Sequence, residues 1–569
     1  MSQQNKLQLH EKELLARISE LELEIKKLKD RKYGLIWEDK PEEVVLQCKA
    51  NIPILREVKN RKIVSDNLTP NNLLIEGDNY HSLSVLNYTH RKSVDLVYID
   101  PPYNTGAKNW RYNNDYVDGD DDWRHSKWVS YMNRRLLLAK NVLKDKGVLV
   151  CAIDENEHAN LGLLIHQIFT NYTIDCVTVV HNPRGVQGKN FSYNHEYIYF
   201  AYPNDGGKYI LDAEREETLE RNFRVDGSNS PRSTSKTMFF PIIIEDKKIV
   251  GFGDVADVNY HPKQQTEHRK NGQIYVWPID INGIERKWSF SRNSIEEIKD
   301  QLIFKNRKDR YEIYRQKDAS PYRTVWINSK YDANEYGSKL VNSIIDTNFP
   351  FPKSIYNVLE CVSATVGNNK TATVLDFFAG SGTTGHAVLE LNKQDGGNRK
   401  FILCTNNENN ICEEVTYERI KRVIKGYKNK KGEKIEGLGG NLSYYKTDLV
   451  NIEKIHKISD EEKIKVTYQA GEMIAVREDT LNEIEKNEWW QIFEGNNNIT
   501  AIYFKEDKEK IKELIKKLIS KFENDKTSVT LYIFGWGKNE YKNEYSSGLV
   551  RVEDIPEPIL EVYKEINRL

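Results

Sequence analysis

The stretch VDLVYIDPPYNTG, Val94 to Gly106, constrains the chain more than any other. Val94 to Ile99 is an apolar run too short for a helix, and its β-branched and aromatic residues favour a strand. Asp100 and two consecutive prolines then end it. Pro101 and Pro102 have no N–H for a ladder and a fixed φ, so the backbone leaves the sheet in a set shape. Asp100 is thereby expected at a strand's carboxyl end, where open α/β sheets place their ligands, with the ring of Tyr103 just beyond. A strand followed by a Pro-Pro turn with an Asx cap reads the same way.

Such a corner suits a planar amine. The lone pair of an exocyclic amino group, such as N6 of adenine, is delocalised into the ring, which makes it a poor nucleophile. A carboxylate and a carbonyl accepting its two N–H bonds shift electron density back and stabilise the positive charge that develops on nitrogen. Asp100 and the Pro101 carbonyl are the candidate acceptors. Tyr103 is a candidate stacking platform, a contact worth roughly 1–3 kcal/mol per base. That helps offset the cost of drawing a nucleotide out of a duplex.

The 569 residues leave room for several domains. Lys plus Arg (84) nearly cancel Asp plus Glu (85), so a nucleic-acid surface has to be a local patch. Cysteines at 48, 151, 176, 361, 404 and 412 form no CxxC pair, which indicates neither a disulfide framework nor a zinc site; a reducing, cytoplasmic interior is expected. The polar MSQQNKLQLHEKE start has no apolar signal core, and no run approaches transmembrane length.

Leu7, Leu14, Ile18, Leu21, Ile25 and Leu28 follow heptad spacing, which reads as a coiled-coil seam or as one amphipathic helix packed on its own domain. NLLIEGDNYHSL from Asn72 reads as a strand ending at Gly77 and Asp78. That acid either caps the following helix or holds a cofactor's polar edge. The polar, aromatic segment from Asn104 to Trp128 looks like a surface loop, and its Asp118, Asp120, Asp121 and Asp122 read as a solvated turn without EF-hand spacing. A helix from Trp128 and a strand from Gly147 to Ile153 then indicate a parallel sheet.

From 181 to about 330 the periodicity breaks down. The patches GIERKWSFSR (283–292) and FKNRKDRYEIYRQK (304–317) put cations beside planar side chains, a combination suited to DNA contacts, although solvated surface over an aromatic core gives the same pattern. The candidate DNA contacts are Arg286, Lys287, Arg292, Lys305, Arg307, Lys308 and Arg310.

A second nucleus is TATVLDFFAGSGTTGHAVLEL, 371–391. It reads as a strand to Phe378, a Gly380-Ser381-Gly382 turn, and a helix from Thr383 whose N-terminus offers free N–H groups. The strand 401–407 leads to Glu408, placed for two ribose hydroxyls. The stretch satisfies GxGxxG, so a dinucleotide dehydrogenase is a rival, but the acid arrives later than the roughly 20 residues usual for that fingerprint. A Walker loop is excluded by the absence of Gly-Lys-Ser/Thr. Asp376 suits a donor carrying ammonium and sulfonium groups.

Together, Asp100-Pro101-Pro102-Tyr103 and Phe378-Ala379-Gly380-Ser381-Gly382 resemble the catalytic and S-adenosylmethionine motifs of amino-methyltransferases that act on DNA. Their order, catalytic motif first, is similar to the permuted β class, and Asp in first place is similar to N6-adenine enzymes. YGLIWEDKPEEV (33–44), LLIEGDNYHSL, DDDWRHSKW, IDENE (153–157), FPKS (351–354) and TNNENNICEEVTYERI (405–420) further resemble the modification subunit of type III restriction-modification systems.

The resemblance implies a doubly wound, Rossmann-like α/β sheet in which the strands ending at Asp100 and Ala379 are neighbours. It implies a coiled coil at 1–32, a catalytic half at 33–180, an inserted target-recognition domain at 181–330 and a donor-binding half at 331–450; the mixed α/β patterning of 451–569 reads as a small dimer-supporting or partner-docking domain, or as plain structural support. The resemblance implies S-adenosylmethionine bound by Asp78, Asp376, Phe378, Ala379, Gly380, Ser381, Gly382, Thr383, Glu408 and Lys353, with no metal. It also implies a homodimer on double-stranded DNA that associates with a helicase-like restriction subunit. A stand-alone methyltransferase and a DNA-reading scaffold with vestigial catalysis are the alternatives.

Overall fold

The computed structural model describes residues 18, 21, 35, 37–65, 69–105, 123–187, 190–308, 310–347, 349–455, 457–495, 497–522, 528–536, 541–545 and 550–568. Most of the heptad segment, and the acidic run 118–122, lie outside the described residues.

Ten strands make the central sheet: β1 Asn51–Glu57, β2 Asn71–Glu76, β3 Val94–Ile99, β4 Leu143–Ile153, β5 Tyr172–Val179, β6 Glu196–Pro203, β7 Val325–Trp326, β8 Thr373–Asp376, β9 Lys400–Thr405 and β10 Asn441–Asn451. Their order is β1-β10-β2-β9-β8-β3-β4-β6-β5-β7. Only β1 and β6 run against the rest. In the middle, β3 and β8 pair in parallel, with Leu96 opposite Val374 and Val97 opposite Leu375. Strands whose paired residues are 278 positions apart in sequence therefore end side by side, and the order of the two motifs leaves the sheet's geometry untouched.

The central strands are apolar on both sides because helices cover both faces. One of these, Asn79–Thr89, is buried along its whole length. The reason lies at the end of the chain: Tyr563 donates to the Pro53 carbonyl (2.5 Å), Arg91 pairs with Glu565 through two bonds (2.7 and 2.8 Å), and Arg477 lies 4.8 Å from the Tyr88 ring. Residues 451–569 build a second, five-stranded sheet and the helices Lys508–Phe522 and Glu557–Ile566, and Ile559, Leu560 and Tyr563 join the same apolar core as β3. That segment packs as part of the catalytic body rather than as a detached module.

The separate compact unit is Ile210–Tyr322, narrower than the expected 181–330. Strand β6, EYIYFAYP, is nearly continuous in burial and completes the central sheet, so the aromatic texture past residue 180 belongs to sheet core. Within 210–322, a three-stranded sheet of 302–307, 310–321 and 212–222 and a four-stranded sheet share a core of Phe223, Phe240, Trp288 and Ile313. Among the described residues no helix is long and apolar enough to cross a membrane.

Candidate active site

Four adjacent parallel strands, β2, β9, β8 and β3, deliver Asp78, Glu408, the glycine turn and Asp100 to the same edge of the sheet. At about 4.8 Å per strand, the ends of β3 and β9 lie roughly 10 Å apart, the span of a nucleoside.

The corner after β3 is fixed by its neighbours. Trp128 Nε1 donates to the Pro102 carbonyl (2.7 Å). Asn104, in the left-handed region at φ 56°, donates to the buried Glu157 (2.5 Å), which also engages His125 (2.7 Å) and Asn160 (2.7 Å). No described residue donates to the Pro101 carbonyl. The Tyr103 hydroxyl donates to Asp100 Oδ1 (2.7 Å).

Lys353 was expected among the donor-binding residues. Instead FPKS leads into the helix Ile355–Val366, packed on β3, and this sets the Lys353 ammonium at the catalytic corner. It lies 3.3 Å from Asp100 Oδ1, 4.6 Å from the Tyr103 ring centre, and in close contact with the Tyr103 hydroxyl and Glu196. The ammonium thus sits at the hydroxyl end of the Tyr103 ring and leaves its faces uncovered by Lys353.

Glu196 is the acid that the sequence reading missed. It is 1% exposed, opens β6, sits 3.2 Å from the Tyr103 hydroxyl, accepts from Asn357 Nδ2 (3.1 Å) and faces His181 at 4.0 Å. Its one sequence signal is a lone charge at the head of the apolar strand EYIYFAY. Burial pushes the Glu196 carboxyl up, but Lys353 and His181 outweigh it and hold it below its ordinary value. Burial also pushes Asp100 up; Lys353 pulls it back and Glu196 pushes again, leaving it raised. The Lys353 ammonium would be lowered by burial, yet the two carboxylates hold it above its usual value.

After β8, the turn is shaped by its glycines, by hydrogen bonds to Asp376 and by Arg419 behind it. Gly380 (φ 49°) and Gly382 (φ 78°) occupy the left-handed region, and a Cβ on Gly380 would stand 3.3 Å from the Phe349 ring. Asp376 is tied to its own loop: it accepts from the Phe378 N–H (2.9 Å) and the Thr384 hydroxyl (2.5 Å). Burial raises its carboxyl to about 7. Phe378 points its ring into the core against Phe377 and Tyr131, and Ala379 donates to the Cys404 carbonyl (3.1 Å). Behind the turn, fully buried Arg419 holds the Ser381 hydroxyl (3.0 Å) and Thr383 hydroxyl (2.9 Å). Asp78 caps its helix by accepting from Tyr80 N–H (2.7 Å) and lies 3.5 Å from Arg135.

The family model described as DNA methylase matches residues 94–418, which spans both strand-end motifs. The chain belongs to the DNA methylase family. The methylase is 28% identical over 453 residues to the type III restriction-modification enzyme EcoPI Mod subunit of Escherichia phage P1, covering 70% of this chain and 67% of that one. It is 31% identical to the type II methyltransferase M.KpnI of Klebsiella pneumoniae, with 58% and 79% covered. With the StyLTI Mod subunit of Salmonella typhimurium LT2 it is 29% identical, with 63% of this chain and 58% of that one covered. The protein is thus a DNA methyltransferase, and its donor is S-adenosylmethionine.

The methylase has the features that donor requires. The glycine turn brings bare backbone to the sheet edge, the helix Thr383–Asp395 presents its N-terminus there, and Glu408 follows β9. Of the seven candidate DNA contacts in 210–322, four are already paired within that unit. Arg286 binds Asp280 (2.7 Å), Arg292 binds the Gly253 carbonyl (2.8 Å) and Glu296 (3.1 Å), Lys305 binds Glu220, and Arg310 binds Glu312 (2.6 Å). Lys287, Arg307 and Lys308 have no such partner among the described residues. The last two are exposed at the tip of the hairpin formed by 302–307 and 310–321.

Proposed function

We propose that this methylase transfers a methyl group to N6 of an adenine in a short asymmetric DNA site, as the modification subunit of a type III restriction-modification system. The observation that carries the reading is Asp100, 3.3 Å from the Lys353 ammonium and rigidly placed beside the Pro101 carbonyl, one strand away from the glycine turn. When bound, S-adenosylmethionine supplies an electrophilic methyl group; Asp376 and Arg419 keep the turn in shape to receive it, and Glu408 takes its ribose. Asp100 and the Pro101 carbonyl accept the two N6–H bonds and draw the lone pair out of conjugation. The adenine reaches them only if turned out of the duplex, at a cost of a few kcal/mol that stacking on the Tyr103 ring helps to offset. Most of the acceleration comes from position and fixed charge.

The segment 1–32 supplies a homodimer contact, residues 210–322 read the site, and a helicase-nuclease subunit completes the system in the cytoplasm. The test is to sequence DNA exposed to the purified protein: N6-methyladenine on one strand of a single asymmetric site supports the reading. A symmetric site methylated on both strands favours the stand-alone alternative, for which the similarity to M.KpnI is the specific observation.

A further inference from the structure

A half-buried carboxylate, Asp100, and a fully buried one, Glu196, share one ammonium at the catalytic corner. Asp100 and Glu196 both contact Lys353, and Tyr103 bridges them through its hydroxyl. Two acids and one base leave a single net negative charge, in a place where an unmatched charge is expensive. One positive charge develops on the amine as its nitrogen is alkylated. The two are equal in size and opposite in sign.

We propose that Glu196 is a positioning residue of the methyl-transfer step: by holding the Lys353 ammonium partly away from Asp100, it leaves the corner one net negative charge for the cationic amine. This deepens the reading given above and rests on it. Without Glu196, Lys353 would neutralise Asp100 completely, and the N6–H bonds would meet an ion pair instead of an anion. Asn357, donating to Glu196 Oε1, fixes the carboxylate from the helix Ile355–Val366.

The other ionisable groups around the corner leave this charge count intact. Tyr98 on β3, Cys151 on β4 and Cys361 on the helix Ile355–Val366 are all pushed up by burial and stay neutral. His181 is lowered by burial, with Glu196 opposing and Lys353 and His195 assisting. Asp154 on β4, raised by burial to about 6, and Asp376 on β8, raised to about 7, titrate near the working range. Glu196 acts directly on Asp100 and His181, whereas Asp376 feels the change only through Asp100.

The experiment measures kcat and KM for labelled methyl transfer against pH, donor affinity by calorimetry, and thermal melting, for the full-length parent, Glu196→Gln, Glu196→Asp and Lys353→Met. Glu196→Gln should bind donor as the parent does and lose kcat about tenfold to a hundredfold. Its acid limb should move to lower pH, because a neighbour that opposes Asp100 ionisation is gone. Lys353→Met should move the limb to higher pH. Glu196→Asp keeps the charge at a shorter reach, so it should lose kcat with the limb unmoved, and this arm stands if the neutral variant fails to fold. A purely structural Glu196 would lose activity only in step with the folded fraction; an unmoved limb in Glu196→Gln, or parent kcat in Glu196→Asp, overturns the assignment. A parent that makes no N6-methyladenine sinks the functional reading instead, so the two failures are distinguishable.

Discussion

Asp100 and Asp376 end neighbouring strands, one half-buried and the other buried, and desolvation raises both carboxyls, yet they are built for different work. Asp100 stands among charges: Lys353 against it, Glu196 behind, and the Tyr103 hydroxyl on one oxygen. Asp376 stands among neutral donors of its own loop, the Phe378 N–H and the Thr384 hydroxyl. The first environment tunes an anion to meet a developing cation. The second stitches a glycine turn into a fixed shape. One sheet edge thus carries a reacting corner controlled by electrostatics and a binding turn controlled by backbone conformation.

The strongest way to break that contrast is Asp100→Ala. Methyl transfer should fall at least about a thousandfold, the upper end for loss of one fixed electrostatic partner, while donor affinity stays at the parent value by calorimetry. Loss of donor binding would merge the two roles. Next comes Gly382→Val, which forces a β-branched residue to φ 78° and sets its Cβ 3.3 Å from Thr416 and 3.4 Å from Ile420. Donor affinity should fall about tenfold to a hundredfold, with kcat at saturating donor near the parent's.

Asp376→Asn sharpens the comparison through stability. Asp376 has a folded pKa of about 7 against an ordinary 3.8, so its neutral form is favoured in the fold. The stability it contributes is full below about pH 4 and is lost as pH rises through about 7. The variant cannot lose it, so calorimetric scans should show the parent's Tm dropping relative to the variant's across that interval. The smallest effect is expected from Arg307→Ala with Lys308→Ala, far in sequence from both carboxylates. The salt dependence of DNA binding should flatten by up to about two units of slope, with donor affinity and pH profile unmoved.

What was legible in the sequence was local. Val94–Ile99 followed by Asp-Pro-Pro, and Val374 onward followed by Gly-Ser-Gly, announce strand ends because proline and glycine act on the backbone next to them. What was not legible depends on contacts between distant residues. Glu196 meets Lys353 across 157 positions, and nothing in NHEYIYF says which partner waits there. Lys353 is placed with the donor by the resemblance of FPKS, whereas the helix that FPKS leads into packs on β3 and brings the ammonium to Asp100. Arg286 and Arg310 looked like DNA contacts because composition cannot tell a solvated cation from one already paired to Asp280 or Glu312.

The central claim is that the Asp100 corner alkylates an exocyclic amine of adenine. The measurement is to incubate the purified protein with duplex DNA and S-adenosylmethionine labelled in its methyl group, digest to nucleosides and separate them. The account predicts label in N6-methyl-2′-deoxyadenosine for the parent and none for Asp100→Ala. Label in N4-methylcytosine, or equal label from both proteins, would contradict it.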